Sequence, residues 1–255
     1  PDVWGEGRME YITSNVLASL LEYRKASLLD VKRILTDKIF RKEVLENVTD
    51  SEVLDFWRNE YDTWNNRHRQ EAISPIQNKI GQLVMDKQLR AVFTQSKRLN
   101  FRRLMDERKI FIANLSKGRL GKKRSALFSS LLLSHFFGAS LTREDQEEED
   151  RIDFYLYLDE FQNMATPTVP CILSESRKYR LNLTVAHQYI EQLPEHILAA
   201  VFGNVSNIVT FRVGSTDAKR LEEEFMNEVR ANTLVMLGNY EIVLKKLNHG
   251  CISQP

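Results

Sequence analysis

The sequence predicts an α/β fold in which an all-α domain precedes a mostly parallel sheet. Over residues 8–100 the apolar side chains recur at the three- and four-residue spacing of helices. From residue 109 onward, short apolar runs rich in β-forming residues alternate with helical segments, which predicts strands joined by crossover helices. We therefore place an all-α domain at 1–105 and the α/β domain at 106–255.

One helix of the predicted all-α domain carries an aromatic stripe. Thr49 and Glu52 have the spacing of a capping box, which predicts that a helix begins at this point. The stripe that follows contains Val53, Trp57, Tyr61 and Trp64. Aromatic side chains at helical spacing usually pack in a core, so we favour packing over a stacking platform for nucleic-acid bases.

Short apolar runs are the predicted strands of the α/β domain: 109–115, 154–158, 181–186 and 207–211. The helical segments that alternate with them are 124–137, 168–179, 194–202 and 216–226. The nearly continuous apolarity of the runs predicts strands that are buried on both faces. The acidic tract 143–150 is expected to be a solvated loop, and 239–250 is expected to add another strand.

Composition argues against several classes of protein. The 255 residues are 42% hydrophobic and 28% charged, and a net charge of +1 means that any electrostatic role must be local. Cys171 and Cys251 lie far apart in sequence, which favours a reducing compartment over a disulfide scaffold or a zinc site. The apolar stretch 126–140 is too short to span a bilayer and predicts a buried helix.

Two acids follow the predicted strand 154–158 directly. Asp159 and Glu160 would lie at the carboxyl end of that strand, where open parallel sheets bind ligands. Phosphoryl transfer needs an Asp there to hold Mg²⁺, and a Glu to accept the proton of an attacking water. The alternative is a strand that ends in a solvated acidic turn.

The next predicted strand also ends on polar side chains. His187 and Gln188 follow the run 181–186, so they would lie at the same edge of the sheet as the acids. An amide both donates and accepts, so Gln188 is suited to orienting a lytic water or sensing a phosphate. The alternative is a glutamine that caps a loop.

Arg177 lies in the basic end of the segment between these two strands. Cations at a helix C-terminus compensate its dipole, which is the simpler interpretation. The other interpretation is an arginine finger presented to the nucleotide of a neighbouring subunit.

Residues 97–124 are dense in cations and contain the candidate nucleic-acid contacts Lys117, Arg119, Lys122 and Lys123. Basic loops that face DNA would bind phosphates in a salt-dependent, sequence-independent way. A solvated basic face is the alternative.

The same segment does not contain a phosphate-binding loop. Such a loop has the pattern G-x-x-x-x-G-K-[ST], and Gly121–Lys122 is the only Gly-Lys pair in the chain. The first glycine position falls on Ser116 and the hydroxyl position falls on Lys123. We therefore expect that this chain alone does not hydrolyse ATP efficiently.

Taken in order, these motifs resemble those of the HerA/FtsK-superfamily ATPases. The similarity is strongest to the conjugative coupling proteins of type IV secretion systems, the TraD/TraG-like DNA-pumping motors. It rests on "FYLYLDEFQN" at 154–163, on 172–193 and on 207–225, and "KIFIANLSKGRLG" also fits. The resemblance covers 109–250 strongly and the all-α region more loosely.

The resemblance implies a RecA-like sheet, present here in part, with ATP and Mg²⁺ as cofactors. Asp159 and Glu160 would be the Walker B pair, with Asp159 on the metal. Gln188 would be the sensor glutamine, and Arg177 the trans-acting arginine. In this group the phosphate-binding loop lies upstream of the helical insert, so we expect residue 1 to follow it.

The resemblance also implies partners and a location. DNA would be moved through a homo-oligomeric ring, usually a hexamer, and a relaxase would be a further partner. The expected location is the cytoplasm, at the inner face of the membrane where segments outside this chain supply an anchor.

A second hypothesis is a non-catalytic module that binds DNA or a relaxase and retains the motor fold only as a scaffold. A hydrolase that uses Ser174 or Cys171 finds no support, because no His–Asp constellation accompanies either residue.

Overall fold

The computed structural model describes residues 3–95, 99–164, 166, 168–248 and 251–253. The chain separates into two compact units, Pro1–Arg98 and Leu99–Pro255. The boundary therefore lies before the helix Phe101–Asp106, whereas the predicted boundary, between residues 105 and 106, falls within that helix. The reason is packing, since Met105 is buried in the core of the second unit.

The first unit is all-α over its described residues. Its helices are α1 (Val3–Glu22), α2 (Asp30–Thr36), α3 (Lys38–Leu45), α4 (Ser51–Asp55), α5 (Asn66–Met85) and α6 (Lys87–Phe93). Helix α4 continues into a π-helical turn, Phe56–Glu60, and a 3₁₀ turn, Tyr61–Thr63. Trp57 and Tyr61 are fully buried in one apolar cluster, so the aromatic stripe is core, as the spacing predicts.

The start of α4 differs from the predicted capping box. Asp50 is the N-cap, and its carboxylate accepts hydrogen bonds from the backbone N–H groups of Glu52 and Val53. Thr49 instead donates its hydroxyl to Glu22 over 2.7 Å. An aspartate caps as well as a threonine, so the position adjacent to the predicted cap took this role.

The second unit combines short strands with helices. Its helices are α7 (Phe101–Asp106), α8 (Lys117–Leu120), α9 (Lys122–Leu141), α10 (Thr168–Glu175), α11 (Glu195–Asn204), α12 (Ser215–Glu224) and α13 (Ala231–Met236). Its strands are β1 (Phe154–Leu158), β2 (Leu181–Val185), β3 (Ile208–Thr210), β4 (Val243–Asn248) and β5 (Cys251–Ser253). The α/β class is thus confirmed.

The strands form two sheets, and only the two-stranded one is parallel. Strands β1 and β2 pair in parallel, from Phe154 opposite Leu181 to Leu158 opposite Val185. Strand β3 pairs antiparallel with β4, and β4 pairs antiparallel with β5. The prediction of one parallel sheet through 207–211 is therefore wrong for β3. The late strand predicted in 239–250 is present as β4, and residues 249 and 250 lie outside the described residues.

The run 109–115 is not a strand, contrary to the prediction. Its residues have no regular secondary structure, and Ile110 and Ile112 are 90% and 86% exposed. Phe111 turns inward, where it packs edge-on against Phe101 and Phe136. The run alternates as a strand does, but no described strand pairs with it.

The prediction that the strands are buried on both faces is also wrong for β1. Tyr155 and Tyr157 point to solvent and are 58% and 71% exposed, while the intervening Leu156 packs against the core. Within the described chain no element covers the tyrosine face of this strand.

Arg143 ties helix α9 to the amino ends of both parallel strands. Its side chain is fully buried. Arg143 is the first residue of the acidic tract 143–150, which the sequence predicts to be a solvated loop. One nitrogen, Nη1, donates to the carbonyl oxygens of Ile152 and Tyr179, each over 2.9 Å. Nε donates to Asp106 Oδ1 over 3.0 Å. Burial lowers the pKa of Arg143, and the charge of Asp106 opposes that shift.

Helix α9 contains the apolar stretch noted in the sequence. With the turn that follows it, Lys122–Asp145 is long and apolar enough to cross a membrane by length and composition alone. Leu133 and Phe136 nevertheless pack in the core of the second unit, and Ser125 and Ser129 are buried on the same helix. The helix is therefore part of the globular fold.

Candidate functional site at the carboxyl ends of the parallel strands

Glu160 begins the turn after β1 in a left-handed backbone conformation, with φ 54° and ψ 42°. A residue with a Cβ atom pays roughly 1–2 kcal/mol for this conformation. The turn ends the strand at once and leads into the 3₁₀ turn Phe161–Asn163. The backbone N–H of Phe161 then donates to the carbonyl oxygen of Ala186 over 2.9 Å, which holds the two strand ends together.

Gln188 and Glu160 are in direct contact. The amide nitrogen of Gln188 donates to Glu160 Oε1 over 2.6 Å, although the residues lie 28 positions apart. Strand ends that follow one another in a parallel pair must meet at the same edge, so the contact is a product of the topology. The structure thus brings together the two side chains that the sequence singled out at adjacent strand ends.

Gln162 is a member of this cluster that the sequence reasoning missed. Its amide nitrogen donates to Glu160 Oε2 over 2.7 Å, so each carboxylate oxygen of Glu160 accepts from a different amide. The only sequence signal was an amide two positions beyond Glu160. Nothing in that spacing indicates a contact until the left-handed turn at Glu160 is known.

A buried hydrogen bond to helix α12 anchors the loop that carries Gln188. Ile190 is buried, and its backbone N–H donates to Asp217 Oδ2 over 3.2 Å. Asp217 is itself buried in the first turn of α12. A buried carboxylate that accepts a backbone hydrogen bond fixes the chain two residues beyond Gln188.

Asp159 is exposed beside Glu160. One carboxylate oxygen, Oδ1, accepts from the backbone N–H of Glu160 over 2.9 Å, and Oδ2 makes no hydrogen bond to any residue that the structure describes. Over the described parts of the chain, no three His, Cys, Asp or Glu side chains come close enough to hold a metal ion. Mg²⁺ usually takes one or two carboxylates and completes its shell with water and phosphate oxygens, so this pair fits Mg²⁺ bound with a nucleotide.

Arg177 does not join this cluster. It is exposed in the 3₁₀ turn Ser176–Tyr179, directly before β2 and hence at the amino end of the strand. A five-residue strand separates it from the Gln188 end by about 16 Å. No contact joins it to Glu160 among the described residues.

The predicted nucleic-acid contacts lie around the start of α9. Lys117 and Arg119 are exposed on the short helix α8, and Lys122 and Lys123 are exposed in the first turn of α9. Lys97 and Arg98, at the start of the basic segment, lie outside the described residues.

A carboxylate pair and an amide at the carboxyl ends of parallel strands are typical of α/β proteins that bind ligands at this edge of a sheet. Comparison with known proteins shows which family this part of the chain is similar to. Residues 153–223, which include both strands and the whole cluster, match the family described as the TraM recognition site of TraD and TraG. The resemblance to TraD/TraG-like coupling proteins is thereby confirmed.

The fold of the chain is similar to that of a solved coupling protein. The bacterial conjugative coupling protein TrwBdeltaN70, in its unbound monoclinic form, superimposes with a TM-score of 0.62 at 12% identity, over 97% of this chain and 62% of that one. Its trigonal form in complex with sulphate gives a TM-score of 0.58 at 13% identity, over 98% and 65%. The chain therefore spans less than two thirds of the solved protein. No curated protein sequence is significantly similar to it.

Proposed function

We propose that this chain is part of an ATP-driven DNA-translocating motor of the conjugative coupling type. The observation that carries the proposal is the hydrogen bond between Gln188 and Glu160 at the carboxyl ends of β1 and β2. A carboxylate and an amide held together at that edge are what a lytic water next to a γ-phosphate requires.

In this proposal each side chain has a separate role. Glu160 accepts the proton of the attacking water. Gln188 orients that water and, from the end of β2, senses whether the γ-phosphate is present. Asp159 holds Mg²⁺ through its free oxygen, directly or through a water molecule. Bound Mg²⁺ would neutralise charge on the β- and γ-phosphates.

The proposal requires a ring and further chain. A phosphate-binding loop has to come from residues outside this sequence, upstream in the same polypeptide. Arg177, at the opposite end of β2, would act on the nucleotide of a neighbouring subunit, which explains why it lies far from Glu160. We place the ring in the cytoplasm at the inner face of the membrane, with DNA as the substrate.

A second candidate function is recognition of a partner protein. The matched family is described by recognition of TraM, and the match spans β1, the strand that carries Tyr155 and Tyr157. Exposed tyrosines are common in protein interfaces, because they bury a large apolar ring and keep a hydrogen-bonding hydroxyl. A relaxosome protein or relaxase would then bind this segment whether or not it supports ATP turnover.

The test is Glu160→Gln in the longer protein that supplies a phosphate-binding loop. We expect the turnover number to fall by about 10²–10⁴ with ATP affinity retained, because only the general base is lost. Glu191→Gln is the matched control, since Glu191 is an exposed carboxylate in the turn after Gln188. Turnover that survives Glu160→Gln would contradict the motor proposal and leave the partner-recognition role.

A further inference from the structure

The turn after β1 contains two features that lower the stability of the fold. Glu160 has a φ of 54°, in the left-handed region, which is unfavourable for a residue with a Cβ atom. Gln162, in the same turn, has a buried carbonyl oxygen, Oε1, with no hydrogen-bond partner among the described residues. Buried polar atoms in folded proteins are nearly always paired, so an unpaired one needs an explanation. Strained features of this kind cluster at functional sites.

One contact accounts for both features. Gln162 Nε2 donates to Glu160 Oε2 over 2.7 Å. Side chains two positions apart do not face each other on a helix, and the left-handed conformation takes Glu160 out of the helical turn that contains Gln162. The amide has to point its Nε2 at Glu160, because a carboxylate only accepts hydrogen bonds, and this leaves Oε1 in the interior. Both unfavourable features therefore follow from making this contact.

The two amides that hold Glu160 differ in exposure. Gln188, which donates to Oε1 over 2.6 Å, is exposed, so water or a ligand can replace it. Gln162 is only half-buried by its neighbours, but this shelters its bond to Oε2 from competing water better than the exposed amide is sheltered. A glutamate side chain rotates about several bonds, and this freedom has to be removed before the carboxylate acts from a fixed position. Gln162 is the partner suited to that task.

We propose that Gln162 is a positioning residue, which keeps the carboxylate of Glu160 in place when Gln188 turns to another partner. Where it concerns ATP turnover, this inference rests on the proposed function, whereas the contact itself does not depend on it. The two costs in the turn are tied to the contact and not to the packing of the fold. An apolar side chain of similar length at position 162 should therefore preserve stability and impair the site.

The first test uses the whole 255-residue chain. Gln162→Met removes the donor and the unpaired oxygen together, so we expect the midpoint of urea unfolding to stay the same or to rise. The side-chain amide of Gln188, assigned in NMR spectra by its loss in Gln188→Met, should exchange with water about threefold faster or more, because its acceptor is no longer fixed. Gln192→Met is the matched control, since Gln192 is an exposed glutamine in the turn after β2, and it should change neither quantity.

The second test measures ATP turnover in the longer protein that supplies a phosphate-binding loop. Gln162→Met should lower kcat about tenfold, because the carboxylate is no longer held in one position. The KM for ATP should stay within about twofold, since Gln162 acts on the base and not on nucleotide binding. Gln192→Met should leave both constants unchanged.

The outcomes separate this inference from the proposed function. Loss of turnover in Glu160→Gln together with a normal kcat in Gln162→Met would uphold the general base and overturn the positioning role. Turnover that survives Glu160→Gln would contradict the motor proposal, and the exchange rate of the Gln188 amide would then decide the positioning role alone. A rate that Gln162→Met leaves unchanged overturns that role. So does a clear fall in the unfolding midpoint of Gln162→Met, because it would show that Gln162 serves the packing of the fold.

Discussion

Replacement of the buried Arg143 by alanine should destabilise the second unit severely. Arg143 donates to two backbone carbonyl oxygens, and its charge lies 3.0 Å from Asp106 Oδ1. In Arg143→Ala all three acceptors lose their donor inside the protein. Removal of one partner of a buried ion pair costs about 3–5 kcal/mol. Asp106 keeps a second partner in Arg102, so we expect about 4 kcal/mol rather than more.

Two further variants make the measurement specific. Arg143→Lys keeps the positive charge but loses the planar fork that reaches several acceptors, so we expect a loss of about 2 kcal/mol. Arg103→Ala is the control, because Arg103 pairs with Glu107 at the surface, and its side chain is 71% exposed. Pairs of that kind contribute about 0–1 kcal/mol.

Urea unfolding followed by circular dichroism measures the free energy of unfolding of each variant. The expected order of destabilisation is Arg143→Ala, then Arg143→Lys, then Arg103→Ala. A loss in Arg143→Ala no larger than in Arg103→Ala would refute the view that Arg143 holds the strand ends together.

Three further predictions concern caps, backbone strain and titration. Asp50→Ala should lower the free energy of unfolding by about 1 kcal/mol, and Thr49→Ala by less, because Asp50 is the N-cap of α4. An equal loss in both variants would contradict this and support the predicted capping box at Thr49. Glu160→Gly should be more stable than Glu160→Ala by about 1 kcal/mol in chemical denaturation, since only the alanine keeps the left-handed penalty. The hydrogen bond from Tyr11 to Glu60 raises the pKa of Tyr11 to about 12. Its contribution to stability is therefore full below about pH 10 and is lost as the pH rises through about 12. In Glu60→Gln the Tyr11 phenol, followed by ultraviolet absorbance, should titrate closer to 10, and an unchanged midpoint would exclude Glu60 as the cause.

Much of the parallel part of the fold follows from local sequence patterns. The runs that became β1 and β2 are apolar, are bounded by polar residues and are separated by a helical segment, which is sufficient to predict a parallel pair. Once the pair is parallel, Glu160 and Gln188 have to lie at one edge. Their proximity was therefore predictable, although their roles in catalysis stay predictions.

Other features depend on partners that are distant in sequence. Arg143 looks like part of a solvated acidic tract, because its partner Asp106 lies 37 residues away. The run at 109–115 alternates as a strand does, but strand formation needs a neighbour, and no described strand lies beside it. The role of Gln162 depends on one backbone torsion at Glu160, and side-chain patterns do not encode that torsion.

The two parallel strands are held together at both ends, and this has a consequence for the contact between Gln188 and Glu160 at one of them. Arg143 joins the chain just before β1 to the chain just before β2, and the Phe161–Ala186 bond joins them just after. A slip of one residue would displace β2 by about 3.3 Å and reverse which side chains face each way. Such a misalignment would pull Gln188 off Glu160. We therefore expect Arg143, which contacts neither Gln188 nor Glu160, to help set the distance between them, so a substitution at that end of the strands should weaken their contact at the other end.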